Sequence, residues 1–211
     1  MKKESMTRRL FIILILVLGV TSSVAYGAET AAPVIRRTAE LLRRAPGIKT
    51  SFRMEGAQGA MTGTLKCAGS KFVLSSPAVS TWFDGKTMYT YNPRTSETTV
   101  TIPEPSEIAE SNPLAAISAN QDSYTATYGK TAPKGGKQIV LTPKKRGTGM
   151  KRIEVTVGAT SYLPTKIVLV PVSGGTSTIT LTSLSTKAAI PASAFTYPAA
   201  SFPKATLIDL R

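Results

Sequence analysis

Residues 81–93 read Thr-Trp-Phe-Asp-Gly-Lys-Thr-Met-Tyr-Thr-Tyr-Asn-Pro. Asp84-Gly85 is a hairpin signal, because such a turn needs a residue that tolerates positive φ. Trp82-Phe83 leads into it, Lys86 to Tyr91 returns, and Asn92-Pro93 breaks the returning segment. Strand, tight turn, strand and break within so few residues imply an antiparallel sheet built from sequence neighbours.

The same period of two extends in both directions. Upstream, Phe52 and Met54 alternate with Arg53 and Glu55, the chain turns between Gly56 and Ala60, and Met61, Gly63 and Leu65 share a face. Lys71 to Leu74 is a short strand ended by Ser76-Pro77. Downstream, Glu97 to Ile102 alternates; Ile153, Val155 and Val157 then oppose Arg152, Glu154 and Thr156. Ile167 with Leu169, and Ile179 with Leu181, repeat the pattern. Valine, isoleucine, threonine and aromatics at this period read as half-buried antiparallel strands. Ten or eleven strands are expected, with turns spaced as in a sheet that curls or closes.

Two segments break the period. Residues 30–45 read as a helix, with Pro33 in its first turn, an apolar face of Val34, Ile35, Thr38, Leu41 and Leu42, and Pro46-Gly47 stopping it. Between Pro103 and Gln121, Glu107 to Glu110 and Pro113 to Ile117 read as short helices. Lying between strands, they cap or cross the sheet.

The N-terminus bears on the compartment. Lys2, Lys3, Arg8 and Arg9 precede an apolar run from Leu10 to Val20, and Ala25 and Gly27 supply a small-x-small cleavage pattern. That is the layout of a secretory signal peptide over residues 1–27, cleaved near Gly27. The run is shorter than the roughly 20 residues that span a bilayer. Residues 28–211 then form one domain, and the product is expected in the periplasm. The only cysteine is Cys67, so no cysteine follows the apolar run to carry a lipid, and no internal disulfide forms.

Composition narrows the function. The net charge is +14, or +11 over residues 28–211. Such a surface attracts anionic partners; for an exported chain these are headgroups or acidic proteins rather than nucleic acid. Two basic, turn-rich stretches, Lys130 to Lys137 and Lys144 to Arg152, read as solvated faces whose charge also suits anionic headgroups. The chain has no histidine, which removes the Ser-His and Cys-His mechanisms and the commonest metal ligand. Glu104, Glu107 and Glu110 are the only paired carboxylates worth weighing, and helix-surface carboxylates are ordinarily solvated. The reading is a non-enzyme with no catalytic residue, metal or cofactor.

The segment Trp82 to Pro93 also resembles the DGKTLWxYNP signature of the LolA family of periplasmic outer-membrane lipoprotein carriers. Ser51-Phe52 resembles that family's first strand, with Met54 where glutamine is usual. Asn112-Pro113 resembles the start of its lid, Val140 to Lys144 its VLTPK strand end, and Ala194 to Pro198, followed by Leu207 to Asp209, its C-terminal closure. The resemblance implies a half-open β-barrel of about eleven strands, with an N-terminal helix and a short helical lid. It implies a carrier that holds the acyl chains of lipid-modified proteins and moves them from inner to outer membrane. An inner-membrane ABC transporter would release them and an outer-membrane acceptor would receive them. A periplasmic lipid-binding sensor or regulatory module on the same fold is the alternative. A monomer is expected. The family's arginine after its second strand has no counterpart in Cys67-Ala68-Gly69-Ser70.

On this reading the apolar cavity is lined by Phe52, Met54, Met61, Leu65, Phe72 and Leu74, together with Trp82, Met88 and Tyr91. Leu114 and Ile117 come from the lid. Methionines suit a site that adapts to flexible chains. The same residues equally suit plain core packing.

Overall fold

The computed structural model describes residues 30–211, except 58, 105–106, 109–110, 119–120, 146 and 148. The proposed signal peptide therefore lies outside the described residues, as do Ala109 and Glu110 of the first short helix expected before Asn112.

One sheet takes every strand. Its elements are β1 (Ile48–Gly56), β2 (Gly59–Ala68), β3 (Lys71–Ser75), β4 (Ser80–Phe83), β5 (Met88–Asn92), β6 (Glu97–Thr101), β7 (Tyr124–Tyr128), β8 (Gly136–Pro143), β9 (Met150–Gly158), β10 (Pro164–Pro171), β11 (Ser177–Ser185) and β12 (Thr206–Asp209). The order is β12-β6-β5-β4-β3-β2-β1-β11-β10-β9-β8-β7, so the sheet ends on β12 and β7 and does not close. This is the mainly β, curled, open half-barrel expected, with twelve strands among the described residues instead of about eleven. β12 runs parallel to β6 and is the one parallel pairing of the sheet. Four residues at a chain end carry too little period to be read as a strand beforehand.

Curvature has local causes. The β1–β11 register shifts between Ser51 and Phe52, so that Leu184 faces Thr50 while Leu181 faces Phe52. Leu184 and Leu181 are three residues apart and would point to opposite faces of a regular strand; the bulge turns both inward and bends the ladder. Opposite Phe52 in β2 stands Gly63. A Cβ there would lie 2.7 Å from the Ser75 carbonyl oxygen and 2.6 Å from the Phe52 ring, so glycine lets the ring lie across the strand.

The concave face is covered, and so is part of the convex face. The concave face carries Phe52, Leu65, Phe72, Phe83 and Met88 on one flank and Ile139, Ile153, Val155, Ile167 and Ile179 on the other. Over it lie α1 (Ala32–Arg44) and α2 (Pro113–Ser118). α1 buries Val34, Ile35, Thr38, Ala39 and Leu42. It is tied down by the Ala31 N–H donating to Ala126 of β7 (3.2 Å) and the Thr38 hydroxyl donating to the Tyr162 carbonyl (2.8 Å). The convex face of β3–β6 is covered by the C-terminal segment, where Val73, Trp82 and Phe195 form a second core with Tyr89, Tyr91, Tyr197 and Phe202.

Candidate lipid-binding concavity and its lid

Alternation along β3–β5 decides which side chains reach the concave face. Phe72 pairs with Phe83, and Phe83 with Met88; these three face inward with Leu74. Trp82 pairs with Val73 and Tyr89 and faces the other way. Nine of the eleven residues expected to line the cavity thus lie on the concave side or its lid: Phe52, Met54, Met61, Leu65, Phe72, Leu74, Met88, Leu114 and Ile117. Trp82 and Tyr91 do not. Trp82 meets Tyr197 edge-on at 5.4 Å and Phe202 at 5.7 Å, and Tyr91 lies 4.3 Å from Phe202. They belong to the convex core, and their expected place in the cavity is corrected accordingly.

The lid is α2. Leu114 and Ile117 point down from it and are buried, at 3 and 0 % exposure. Asn112 starts the helix: its side-chain oxygen accepts the Leu114 N–H at 3.1 Å, and its backbone carbonyl accepts that of Ala115 at 2.9 Å. An asparagine at this position satisfies amide groups that have no partner inside the helix. Its amide nitrogen also donates to the Cys67 sulfur at 3.6 Å. Cys67 opens the stretch that lacks the family's arginine, and this contact joins the start of α2 to β2. Burial pushes the Cys67 thiol up to about 12, against the lowering effect of the Asn112 hydrogen bond. It stays a neutral thiol at any physiological pH.

Two spaces adjoin the concave face. Beneath α2 a pocket of about 190 Å³ lies between Leu42, Ile48, Cys67, Phe83, Leu114 and Asn112. At the end of the sheet where β1 turns into β2, a cleft of about 820 Å³ opens, with Met54 and Met61 on its wall beside Pro77, Ala78 and Pro171. Met54 and Met61 are a cross-strand pair, each half-buried. Binding sites for small molecules run from roughly 300 to 1,000 Å³. The cleft falls in that range and the pocket under α2 does not. Sequence reasoning missed the Asn112–Cys67 contact, whose partners are 45 residues apart.

The Glu107 carboxylate accepts the Glu104 backbone N–H at 2.7 Å, a structural use. Among the described residues no group of three or more His, Cys, Asp or Glu could hold a metal. No helix among them is long and apolar enough to cross a membrane.

The profile of the family described as outer membrane lipoprotein carrier protein LolA matches residues 21–171. The chain belongs to the LolA family. The match ends with β10, so the bulged β11, the convex-face cover and β12 lie beyond it. No curated protein matches the sequence. An uncharacterised conserved protein from Thermus thermophilus shares the fold, at TM-score 0.58 and 10 % identity over 85 % of this chain and 98 % of that one. A LolA superfamily protein from Nitrosomonas europaea aligns at TM-score 0.44 and 12 % identity, over 81 and 99 % of the two chains. MucB of Pseudomonas aeruginosa, in its complex with MucA, aligns at TM-score 0.40 and 14 % identity, over 80 and 61 %.

Proposed function

We propose that this LolA-family chain is a periplasmic carrier that takes the acyl chains of lipid-modified proteins onto its concave face and moves them from inner to outer membrane. The observation that supports it most is the covering of an apolar concave face by α1 and the six-residue α2, with a cleft of about 820 Å³ at the opposite end of β1 and β2 from the start of α2. Magnitudes favour displacement of that helix. Burying Leu114 and Ile117 contributes roughly 1.5–3 kcal/mol each, whereas a myristoyl-sized chain gains on the order of 10 kcal/mol at about 0.8 per methylene. A ligand entering past Met54 and Met61 can therefore take the place of the lid's side chains. The difference stays small enough for release when a competing apolar site is offered. On this reading the chain is a binder and not an enzyme. An inner-membrane releaser and an outer-membrane acceptor are its partners, and residues 1–27 are its export signal.

The test is purification of the exported protein without detergent, extraction, and mass spectrometry for acylated species. It is coupled to depletion of the protein in the cell and fractionation of outer-membrane lipoproteins. Acylated cargo and lipoproteins held back at the inner membrane are expected. An empty protein together with an unchanged lipoprotein distribution would reject the reading.

A further inference from the structure

The loops at the cleft end of the sheet share a feature that acyl binding does not require. The β10–β11 loop carries Val172, 70 % exposed, as its first residue after β10. The Val172 N–H donates to the Gly149 carbonyl at 2.9 Å, which holds this residue against the β8–β9 loop. That neighbouring loop carries Lys144 and Lys145, both exposed. Gly174 and Gly175 of the Val172 loop line the cleft, and Arg94, from the β5–β6 turn, lines it too. Arg94 is set by its own backbone N–H donating to the Asn92 side chain at 2.9 Å. The cleft lining contains no carboxylate among the described residues. Of the acids near this end, Glu55 is paired with Arg53 at 2.9 Å, which leaves Glu97 and Asp122 against Arg94, Lys144, Lys145, Lys151 and Lys204. The other exposed large apolar side chains, Ile102, Leu207 and Leu210, are in or beside the β6–β12 edge.

We propose that this rim docks the open end of the cleft onto the surface of an anionic lipid bilayer, Val172 entering the headgroup region and Lys144, Lys145 and Arg94 meeting its charge. The cations match the sign of such a surface, and the exposed valine is held against the loop that carries two of them. A single exposed valine is unremarkable by itself; its fixed place between a lysine pair and a cleft is what selects the occupant. Each basic side chain near an anionic leaflet strengthens binding about fivefold, and salt screens the effect. Docking there would bring the cleft to the bilayer, and it holds whether or not the ligand is a lipoprotein.

The experiment is flotation of the exported protein with vesicles of phosphatidylcholine alone, and of phosphatidylcholine with one-third phosphatidylglycerol, at low and high salt. Binding to the anionic vesicles only, weakened by salt, is expected. Lys144→Glu with Lys145→Glu should lower it about 25-fold or more, and Val172→Asp several-fold. Lys130→Glu with Lys134→Glu removes the same charge from the opposite end of the sheet, in the β7–β8 loop, and should change it less than about threefold. Thermal melts confirm that each variant is folded. Equal losses from the two lysine pairs would show a generic attraction and overturn the proposal, as would equal binding to both vesicles or to neither. Displacement of an apolar dye by acyl ligand in solution, measured on the same samples, reads the carrier function separately.

Discussion

Replacing Ile117 by valine removes one carbon from the underside of the lid. Ile117 is fully buried against the concave core, so the closed state loses roughly 0.5–1.5 kcal/mol. The open lid has no such contact to lose. The closed-to-open ratio then falls by about 2- to 12-fold, taking 1.4 kcal/mol per factor of ten. A ligand that binds only the open form has an apparent affinity set by the open fraction. Ile117→Val should therefore bind an acylated peptide about 2- to 12-fold more tightly while melting a few degrees lower. Ile167→Val provides the comparison. Ile167 is equally buried, but it lies within the sheet on β10, paired with Val155 and Ile179. It should show the same fall in melting temperature with no gain in affinity. The assay is displacement of an apolar fluorophore by a synthetic lipopeptide, alongside thermal melts. Equal affinities for the two variants, or weaker binding by Ile117→Val, would refute the reasoning and make Ile117 an ordinary core residue.

Three further outcomes are expected. Gly63→Ala should destabilise the fold by about 1–3 kcal/mol, because its Cβ meets both the Ser75 carbonyl and the Phe52 ring; denaturant unfolding reads this, and Phe52→Leu in the same chain should recover part of it. Asn112→Ala should cost about 0.5–2 kcal/mol and speed labelling of Cys67 by a maleimide, since the lid loses its cap and its contact with the sulfur. The third concerns Asp84. Partial burial raises its carboxyl, but the backbone N–H groups of Thr87 and Lys86, with Lys71 nearby, outweigh that and hold it below the ordinary carboxylate value. Its contribution is therefore complete above about pH 4, the unfolded value, and fades as acid protonates the folded form. The stability gap between the wild type and Asp84→Ala, followed by melting against pH, should be flat at neutral pH and shrink below about 4.

The hairpin at residues 81–91 was legible because its turn is local chemistry. Asp84 accepts two backbone N–H groups at 2.8 Å, and Gly85 sits at φ 102°. The inward positions of β1 and β2 were legible for the same reason, since Phe52 and Leu65 alternate with polar neighbours. Trp82 and Tyr91 were misplaced because β4 and β5 are apolar on both faces. Phe83 and Met88 face the lid side, while Trp82, Tyr89 and Tyr91 face Tyr197 and Phe202. A strand covered on both sides carries no amphipathic signal, and only the register reveals which face is concave. The Asn112–Cys67 contact was illegible because it joins a helix cap to a strand far off in sequence. An asparagine ahead of a proline-started helix reads locally as a cap and nothing more.

Whether acyl chains bind beneath a moving α2 can be read from one engineered crosslink. The Asn112 and Cys67 side chains touch between α2 and β2, so Asn112→Cys sets a second thiol facing Cys67, and mass spectrometry of the oxidised protein first establishes that the disulfide has formed. Lipopeptide displacement of a bound apolar fluorophore is then measured on the oxidised and the reduced protein. Loss of displacement on oxidation, fully restored by reductant, is the predicted result. Equal displacement in both forms would contradict the account, because the concave face would then not be where the chains bind.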